Sequence, residues 1–499
     1  MSNIRRQSII SSMIVYFGFA LGFVNTYLFT REGSFTTAQY GLTQTFVAIA
    51  NLMFSFATLG MQSYIYKFYP YYNDNLPPKR NDMITLALLI STIGFLMVTL
   101  AGILLKDFVI RKYVTNAPDL IKYYYWLFPF GFGLTVYSIL EAYAWQLRKS
   151  VLTNFLKEVQ FRIFTTILIV LFFAGVITNF DNFIYIYSFT YLFIALILLG
   201  YLLYTKKIFL RFSISRLTKK FWKKIVTLAG FVWSGSLIYN IANVFDTLVI
   251  AAVMPNGLAF AGIYSLAQNI ASLVQAPQRG VISASIAPLS KAWKDKDFGK
   301  INRIYHKSSI NQLLFAVGMF VFIYLNFLDG VITFQMKQEY LDALPILFFI
   351  GIMRILDMGT GLNAQIIGTS TFWRFEFFTG MILLGMALPL NYILTKSLGA
   401  IGPAISNLIA FTTYNAIRYV FLYRKFKMQP FTIKTLYTLL LGLGSFLICY
   451  FLFGQFQGLL WIVVRSVVFF IIYGGGAILL NLSPDVKPVL GTIRNKIGL

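Results

Sequence analysis

Residues 183–204 read FIYIYSFTYLFIALILLGYLLY, and residues 205–225 read TKKIFLRFSISRLTKKFWKKI. The first stretch holds no charged side chain, and the second holds eight Lys and Arg with no Asp or Glu. From 226 to 252 the chain is largely apolar again, with Asp246 as its one charged residue. About 20 apolar residues in a helix cross a hydrocarbon core of about 30 Å. Two such runs joined by a short, purely basic segment are the signature of a polytopic membrane protein whose loop stays on the cytoplasmic side. The fold class that follows is an all-α integral membrane protein.

The same reading extends in both directions. Apolar runs fall near 8–30, 42–66, 83–105, 120–146, 155–177 and 183–204, then near 226–252, 259–285, 310–333, 341–367, 375–395, 400–423, 435–455 and 459–481. They predict about 14 transmembrane helices. Arg5 and Arg6 precede the first run as in a signal peptide, but Ile9 to Phe29 is too long for one and no small-residue cleavage site follows, so a retained span is expected. Composition agrees: of 499 residues, 58% are hydrophobic and only 12% charged, where a soluble domain carries about 25% charged residues. A single cysteine (Cys449) and a single histidine (His306) exclude a disulfide framework, a zinc site and a Cys/His catalytic pair.

The net charge of +25 needs an owner. Threading the runs from a cytoplasmic N-terminus places 29 of the 42 Lys and Arg in cytoplasmic segments, seven outside (Arg31, Lys106, Arg111, Lys112, Lys122, Lys337 and Lys396) and six within spans. This is the positive-inside asymmetry. It predicts a multi-pass membrane protein with cytoplasmic termini at both ends. The excess charge therefore reports orientation and contact with membrane lipids, and no nucleic acid is required. The 205–225 segment, with Phe209, Phe212, Leu217, Phe221 and Trp222 among its bases, is expected as an amphipathic helix on the inner leaflet.

Six runs precede this linker, six follow it and two more are appended, giving segments 1–204, 205–225, 226–425 and 426–499. The halves echo each other. Tyr40-Gly41-Leu42-Thr43 matches Ala261-Gly262-Ile263-Tyr264 at an offset of 221, and Leu127-Phe128-Pro129-Phe130-Gly131 matches Leu347-Phe348-Phe349-Ile350-Gly351 at 220. An even number of spans per copy keeps both copies in one orientation. Two six-helix lobes related by a pseudo-two-fold along the membrane normal are expected, plus two C-terminal helices.

Three stretches then carry a family resemblance. They are Thr37-Ala38-Gln39-Tyr40-Gly41 with Leu59-Gly60 and Lys67-Phe68-Tyr69-Pro70; Asn243-Val244-Phe245-Asp246-Thr247 with Gly262-Ile263-Tyr264-Ser265-Leu266 and Ala287-Pro288; and Gly361-Leu362-Asn363 with Gly399-Ala400-Ile401-Gly402-Pro403-Ala404. In order and spacing the chain, over about 8–425, resembles the polysaccharide-biosynthesis or O-antigen flippases of the multidrug/oligosaccharidyl-lipid/polysaccharide exporter superfamily. Thr247 stands where a basic residue often follows the Asp, so the charge pair of that neighbour is not carried over. The resemblance implies a lipid-linked oligosaccharide as substrate, moved by alternating access. It also implies a polysaccharide polymerase and glycosyltransferases as further partners, and no cofactor beyond Na⁺ or H⁺ coupling. The absence of a G-x-x-x-x-G-K-[ST] loop agrees with transport without nucleotide hydrolysis.

Charges within spans are the candidate site, because each costs about 2.5–3.5 kcal/mol at a helix centre on insertion scales. Arg354 lies mid-span with Asp357 at i+3 on the same face: a cation for a pyrophosphate, or a self-neutralising pair. Arg279, between Pro277 and Gly280, is the best candidate for the arginines that the related flippases place in their central cavity, the alternative being a cation that snorkels to the cytoplasmic interface. Glu141 with Arg162, and Lys157 with Glu158, are expected to pair across a helix contact. Asp246, Asp357 and Glu141 are candidates for ion coupling, and Arg31 beside Glu32 for an interfacial or gating role. Arg418 and Arg465 lie near span ends and are expected to snorkel. The aromatic clusters Tyr64–Tyr72 and Tyr123–Trp126 are expected in interfacial belts, and His306 in a basic cytoplasmic loop.

Two other functions compete. A multidrug exporter of the same superfamily needs acidic residues for cationic cargo, which Glu141, Asp246 and Asp357 keep open. A membrane glycosyltransferase or polymerase needs a sizeable outer loop with catalytic groups, and the longest one here, near 106–120, carries Asp107 and Asp119 without a motif.

Overall fold

The computed structural model describes residues 3–483, with the side chains of 3–12, 279, 283, 287 and 373 excepted. Every regular element among them is helical. Among the described residues, ten helices are long and apolar enough to cross a membrane, or eleven if the bent pair Thr37–Ala57 and Met61–Asn75 is one span. The difference from fourteen has local causes. Arg374–Phe426 reads as one 53-residue stretch, although a 3-10 turn at Gly399–Ile401 divides it into the two expected runs. The fifth run is broken by a π segment at Phe155–Gln160, which leaves only Phe161–Phe173 as α-helix beyond it. The tenth is a 17-residue helix, Ala343–Gly359, that stops at a turn.

The chain divides into two compact units, residues 1–262 and 263–499. In the first, Leu127–Gln146 is the central helix, with 78% of its apolar window buried. It packs on Thr37–Ala57, Met83–Leu104 and Thr190–Tyr204. Its Gly131, Gly133, Ser138, Ala142 and Ala144 keep the surface low enough for close helix contact, the usual solution where lipid tails leave little hydrophobic drive. The bend of 51° between Thr37–Ala57 and Met61–Asn75 falls at Gly60. Its φ of 75° suits glycine, and an added Cβ there would meet the Ala229 carbonyl oxygen at 2.2 Å.

The 205–225 segment differs from expectation. Residues 206–215 are not helical, and a helix starts at Arg216 and runs without a break to Val253. Ser215 sets the start: its backbone is extended and its hydroxyl accepts from the Thr218 amide, an N-cap. The basic residues from Arg216 to Lys224 thus ride on the first turns of a 38-residue helix. In the same way His306 lies inside the 36-residue helix Phe298–Thr333, its Nδ1 3.2 Å from the Pro430 carbonyl oxygen, and not in a loop. Such helices measure about 55 Å at 1.5 Å per residue, well beyond one hydrocarbon core.

In the second unit Phe298–Thr333 is central and packs on Ala343–Gly359, Ile433–Phe453 and Leu459–Leu479, while Trp373–Leu398 and Gly402–Phe426 form a tight antiparallel pair. The aromatic clusters split by helix face. Tyr64, Tyr72, Tyr123 and Tyr124 are buried, whereas Tyr66, Tyr71 and Tyr125 are exposed. Only the latter suit an interfacial belt.

Candidate functional site

Among the described residues, polar side chains gather at a break in regular helix in each unit. In the second unit Ala343–Gly359 ends where Thr360 and Gly361 turn the chain. Gly361 has a φ of 65°, and a Cβ there would sit 3.0 Å from Ser308 Oγ and 3.1 Å from the Ser309 backbone, so glycine is favoured at this turn. A helix end leaves its last carbonyls without intrahelical partners. Ser309 Oγ donates to the Gly359 carbonyl at 2.5 Å, and Thr360 Oγ1 donates to the Asp357 carbonyl at 2.8 Å.

The Asp357 carboxylate sits at this break and accepts three amide hydrogen bonds. They come from Gln278 Nε2 (3.0 Å), Asn415 Nδ2 (3.1 Å) and Gln275 Nε2 (3.3 Å). Asn415 Oδ1 in turn accepts from Asn363 Nδ2 at 2.9 Å and Thr360 Oγ1 at 3.2 Å. The i+3 spacing suggested Arg354 as the partner of Asp357. Beside Arg354, which is half-buried, the carboxylate is held by amides from Gln275 and Gln278 and from the Gly402–Phe426 helix. One turn from Asn415, Arg418 pairs with Glu376 and Tyr414.

Arg418 is buried, as is Arg465, so neither snorkels. Arg465 Nη2 lies 3.5 Å from Asp329 Oδ2 and donates to the carbonyls of Phe456 (2.8 Å) and Phe453 (3.0 Å). Phe453 ends the Ile433–Phe453 helix and Phe456 lies just beyond it, where a cation offsets the negative helix end. Asp329 also accepts from the Gly458 amide at 2.9 Å. Interior pairing replaces snorkelling because each arginine finds a carboxylate on an adjacent helix.

In the first unit the break is the π segment at Phe155–Gln160. Lys157 Nζ lies 3.4 Å from Glu141 Oε2, and Arg162 Nη1 lies 2.6 Å from Glu158 Oε2 and 2.5 Å from the Glu158 carbonyl. The partners are therefore exchanged relative to expectation, Glu141 taking Lys157 and Arg162 taking Glu158. The i→i+5 winding adds residues to the turn, which rotates Lys157 toward the helix carrying the buried Glu141. The first helix closes over this pair. Asn25 Nδ2 donates to the Arg162 carbonyl at 2.8 Å, and Thr166 Oγ1 donates to Asn25 Oδ1 at 2.6 Å.

Three expected site residues stand elsewhere. Asp246 is buried late in the Arg216–Val253 helix, beside the buried Thr247. Arg31 is exposed at the end of the first helix, its guanidinium 5.8 Å from the Phe173 ring centre, as an interfacial cation would be. The Arg279 backbone belongs to the helix Gln278–Lys294, which opens after a 3-10 turn with Pro277 as its N-cap, and its side chain lies outside those described. Sequence reasoning passed over Asn415, Gln275, Gln278, Glu376 and Asp329. Glu376 and Asp329 carried a usable signal, as carboxylates within otherwise apolar runs; the amides carried none.

The polysaccharide biosynthesis protein family model matches residues 4–293. The chain belongs to this family. The stretches that pointed to it include Gly60, at the helix bend, and Asp246, a buried carboxylate. The fold extends past the family match. A lipid II flippase MurJ in an inward closed conformation covers 95% of this chain and 98% of its own length at 16% identity, with a TM-score of 0.72. An inward-facing multidrug resistance MATE family transporter of the MOP superfamily covers 83% and 96% at 15% identity, with a TM-score of 0.62. An outward-facing structure of such a MATE transporter covers 84% and 94% at 17% identity, with a TM-score of 0.52. No curated protein matches the chain in a direct sequence search. This family member therefore has the all-helical fold shared by a flippase and multidrug transporters, solved in both inward- and outward-facing conformations.

Proposed function

We propose that the protein is a flippase that carries a polyprenyl-pyrophosphate-linked oligosaccharide, a precursor of cell-surface polysaccharide, across the bacterial cytoplasmic membrane. The observation that carries this reading is the union of family and fold: a polysaccharide-biosynthesis family member built, over 95% of its length, like a lipid II flippase. Arg279 and Arg354 supply cationic hydrogen-bond donors for the pyrophosphate, the strong kind of contact for such oxygens. Bound cargo stabilises one access state, and return to the other exposes it to the opposite leaflet. Asp246, Asp357 and Glu141 are the acids available for Na⁺ or H⁺ coupling, with Arg31 at the outer end of the first helix as a gate. Both termini are cytoplasmic, and polymerase and glycosyltransferases act on either side of the step.

A multidrug exporter is the second reading, favoured by the MATE likeness and by the buried acids Glu141 and Asp246. Proteoliposomes holding the purified protein and lipid-linked oligosaccharide, with an assay for leaflet sidedness, separate the two. Cargo is expected to change leaflet, and Arg279→Ala or Arg354→Ala to abolish this with membrane abundance intact, while Lys at either position retains part of it. Dye export without movement of any lipid-linked sugar overturns the proposal, as does full activity of the double Ala variant.

A further inference from the structure

The cytoplasmic-side segment 205–225 carries eight bases and no acid, and the structure shows how it is held. Asp82, itself buried, accepts the Ser215 amide at 2.7 Å and the Thr218 hydroxyl at 2.8 Å. Thr218 also meets the Tyr72 hydroxyl at 2.6 Å, and the Arg211 amide donates to Thr85 Oγ1 at 2.8 Å. Ile208 and Ile225 are buried in the core of the first unit, and Phe221 packs between Phe68 and Tyr71. The segment is thus pinned along one side, and a carboxylate at the start of the Arg216–Val253 helix offsets its positive end.

The other side has no such partners. Lys219, Lys220, Lys223 and Lys224 are all exposed, and among the described residues no base of the segment has a carboxylate within ion-pair distance. Between them stand Phe212 at 75% exposure, Ile214 at 58% and Trp222 at 47%. Asp82 cannot serve these bases, because it is enclosed beneath the cap of the helix.

We propose that this face is a docking site for anionic phospholipid headgroups, which anchor the start of the Arg216–Val253 helix to the inner leaflet. The inference rests on the multi-pass membrane fold and the orientation read from its charges, and not on the identity of the cargo. An acidic soluble protein or a nucleic acid would meet the lysines but leave Phe212, Ile214 and Trp222 in water. A bilayer interface takes both, since lysines pair with headgroup phosphates while the aromatic and aliphatic side chains enter the acyl boundary. Because Asp82 and Thr218 tie this face to Met83–Leu104 and Met61–Asn75, headgroup binding acts on an ordered corner rather than on a loose loop.

The test uses the full chain in nanodiscs of phosphatidylcholine with either brominated phosphatidylglycerol or brominated phosphatidylcholine as quencher. The contribution of Trp222 is taken as the difference from Trp222→Phe. Brominated phosphatidylglycerol is expected to quench Trp222 about threefold more than brominated phosphatidylcholine, with the preference falling at high salt. The quadruple variant Lys219→Gln, Lys220→Gln, Lys223→Gln, Lys224→Gln is expected to lose the preference while keeping the wild-type melting temperature. Equal quenching by the two lipids, a preference that survives in the quadruple variant, or no quenching of Trp222 by any bilayer lipid each overturns the proposal. None of these readouts involves cargo, so failure here is separate from failure of the flippase reading.

Discussion

Gly41 and Gly262, which stand 221 residues apart in the two similar stretches of sequence, lie backbone against backbone. A Cβ on Gly41 would fall 1.7 Å from the Leu258 carbonyl oxygen and 2.9 Å from the Gly262 nitrogen. One on Gly262 would fall 2.8 Å from the Thr37 carbonyl oxygen. The obstacles are main-chain atoms, so no rotamer change relieves them. Overpacking typically costs about 1–3 kcal/mol, and a main-chain clash this close belongs at the upper end. Gly41→Ala is expected to lower the thermal midpoint of the detergent-purified protein more than Gly262→Ala does. An unchanged midpoint for Gly41→Ala would show that the two helix starts do not meet as described.

The Arg465–Asp329 pair ties Leu459–Leu479 to Phe298–Thr333. Removing one partner of a buried pair costs about 3–5 kcal/mol, because the other is left charged and uncompensated. Asp329→Leu should therefore destabilise strongly, and Asp329→Leu with Arg465→Leu should recover much of the loss. Thermal unfolding in nanodiscs reads both. A double variant less stable than Asp329→Leu alone contradicts the pairing.

Asp357 accepts three amide donors. Asp357→Asn replaces one accepting oxygen by an NH₂ group, which then faces other donors, and also removes the negative charge. If this carboxylate couples transport to a cation, the variant should lose at least about tenfold in transport driven by a Na⁺ or proton gradient, equivalent to about 1.4 kcal/mol, at normal abundance. Transport by Asp357→Asn that still follows the gradient would remove Asp357 from coupling.

Orientation is testable because the native Cys449 is fully buried, leaving a low background for single-cysteine labelling. Arg111→Cys, at an exposed position between spans, should react with a membrane-impermeant maleimide added to intact cells. Lys300→Cys, also exposed, should react only after permeabilisation. The reverse pattern would invert the topology.

Much of the architecture was legible in the order of residues alone. Apolar runs of about 20 residues mark where backbone polar groups must be satisfied by helix, and every regular element among the described residues is helical. The motif around Gly60 and Asp246 pointed to the family, and the bend with a positive φ at Gly60 is a physical reason for a glycine there. Span counting faltered at Phe155–Gln160, at Gly359–Gly361 and at Gly399–Ile401, where the winding changes without a loss of hydropathy.

What the sequence by itself determined is the class of solvent this chain was made for, the number and order of its apolar runs, and which few charges had to be explained. Only the tertiary structure decided which partner each charge takes. Glu141 meets Lys157 because a π turn rotates one helix, Asp357 meets amides because a neighbouring helix presents Asn415, and Arg418 and Arg465 are buried because Glu376 and Asp329 stand across a helix contact. Hydropathy depends on each residue and its neighbours along the chain. Ion pairing within a span depends on the rotation and depth of two helices at once, and those are set by packing.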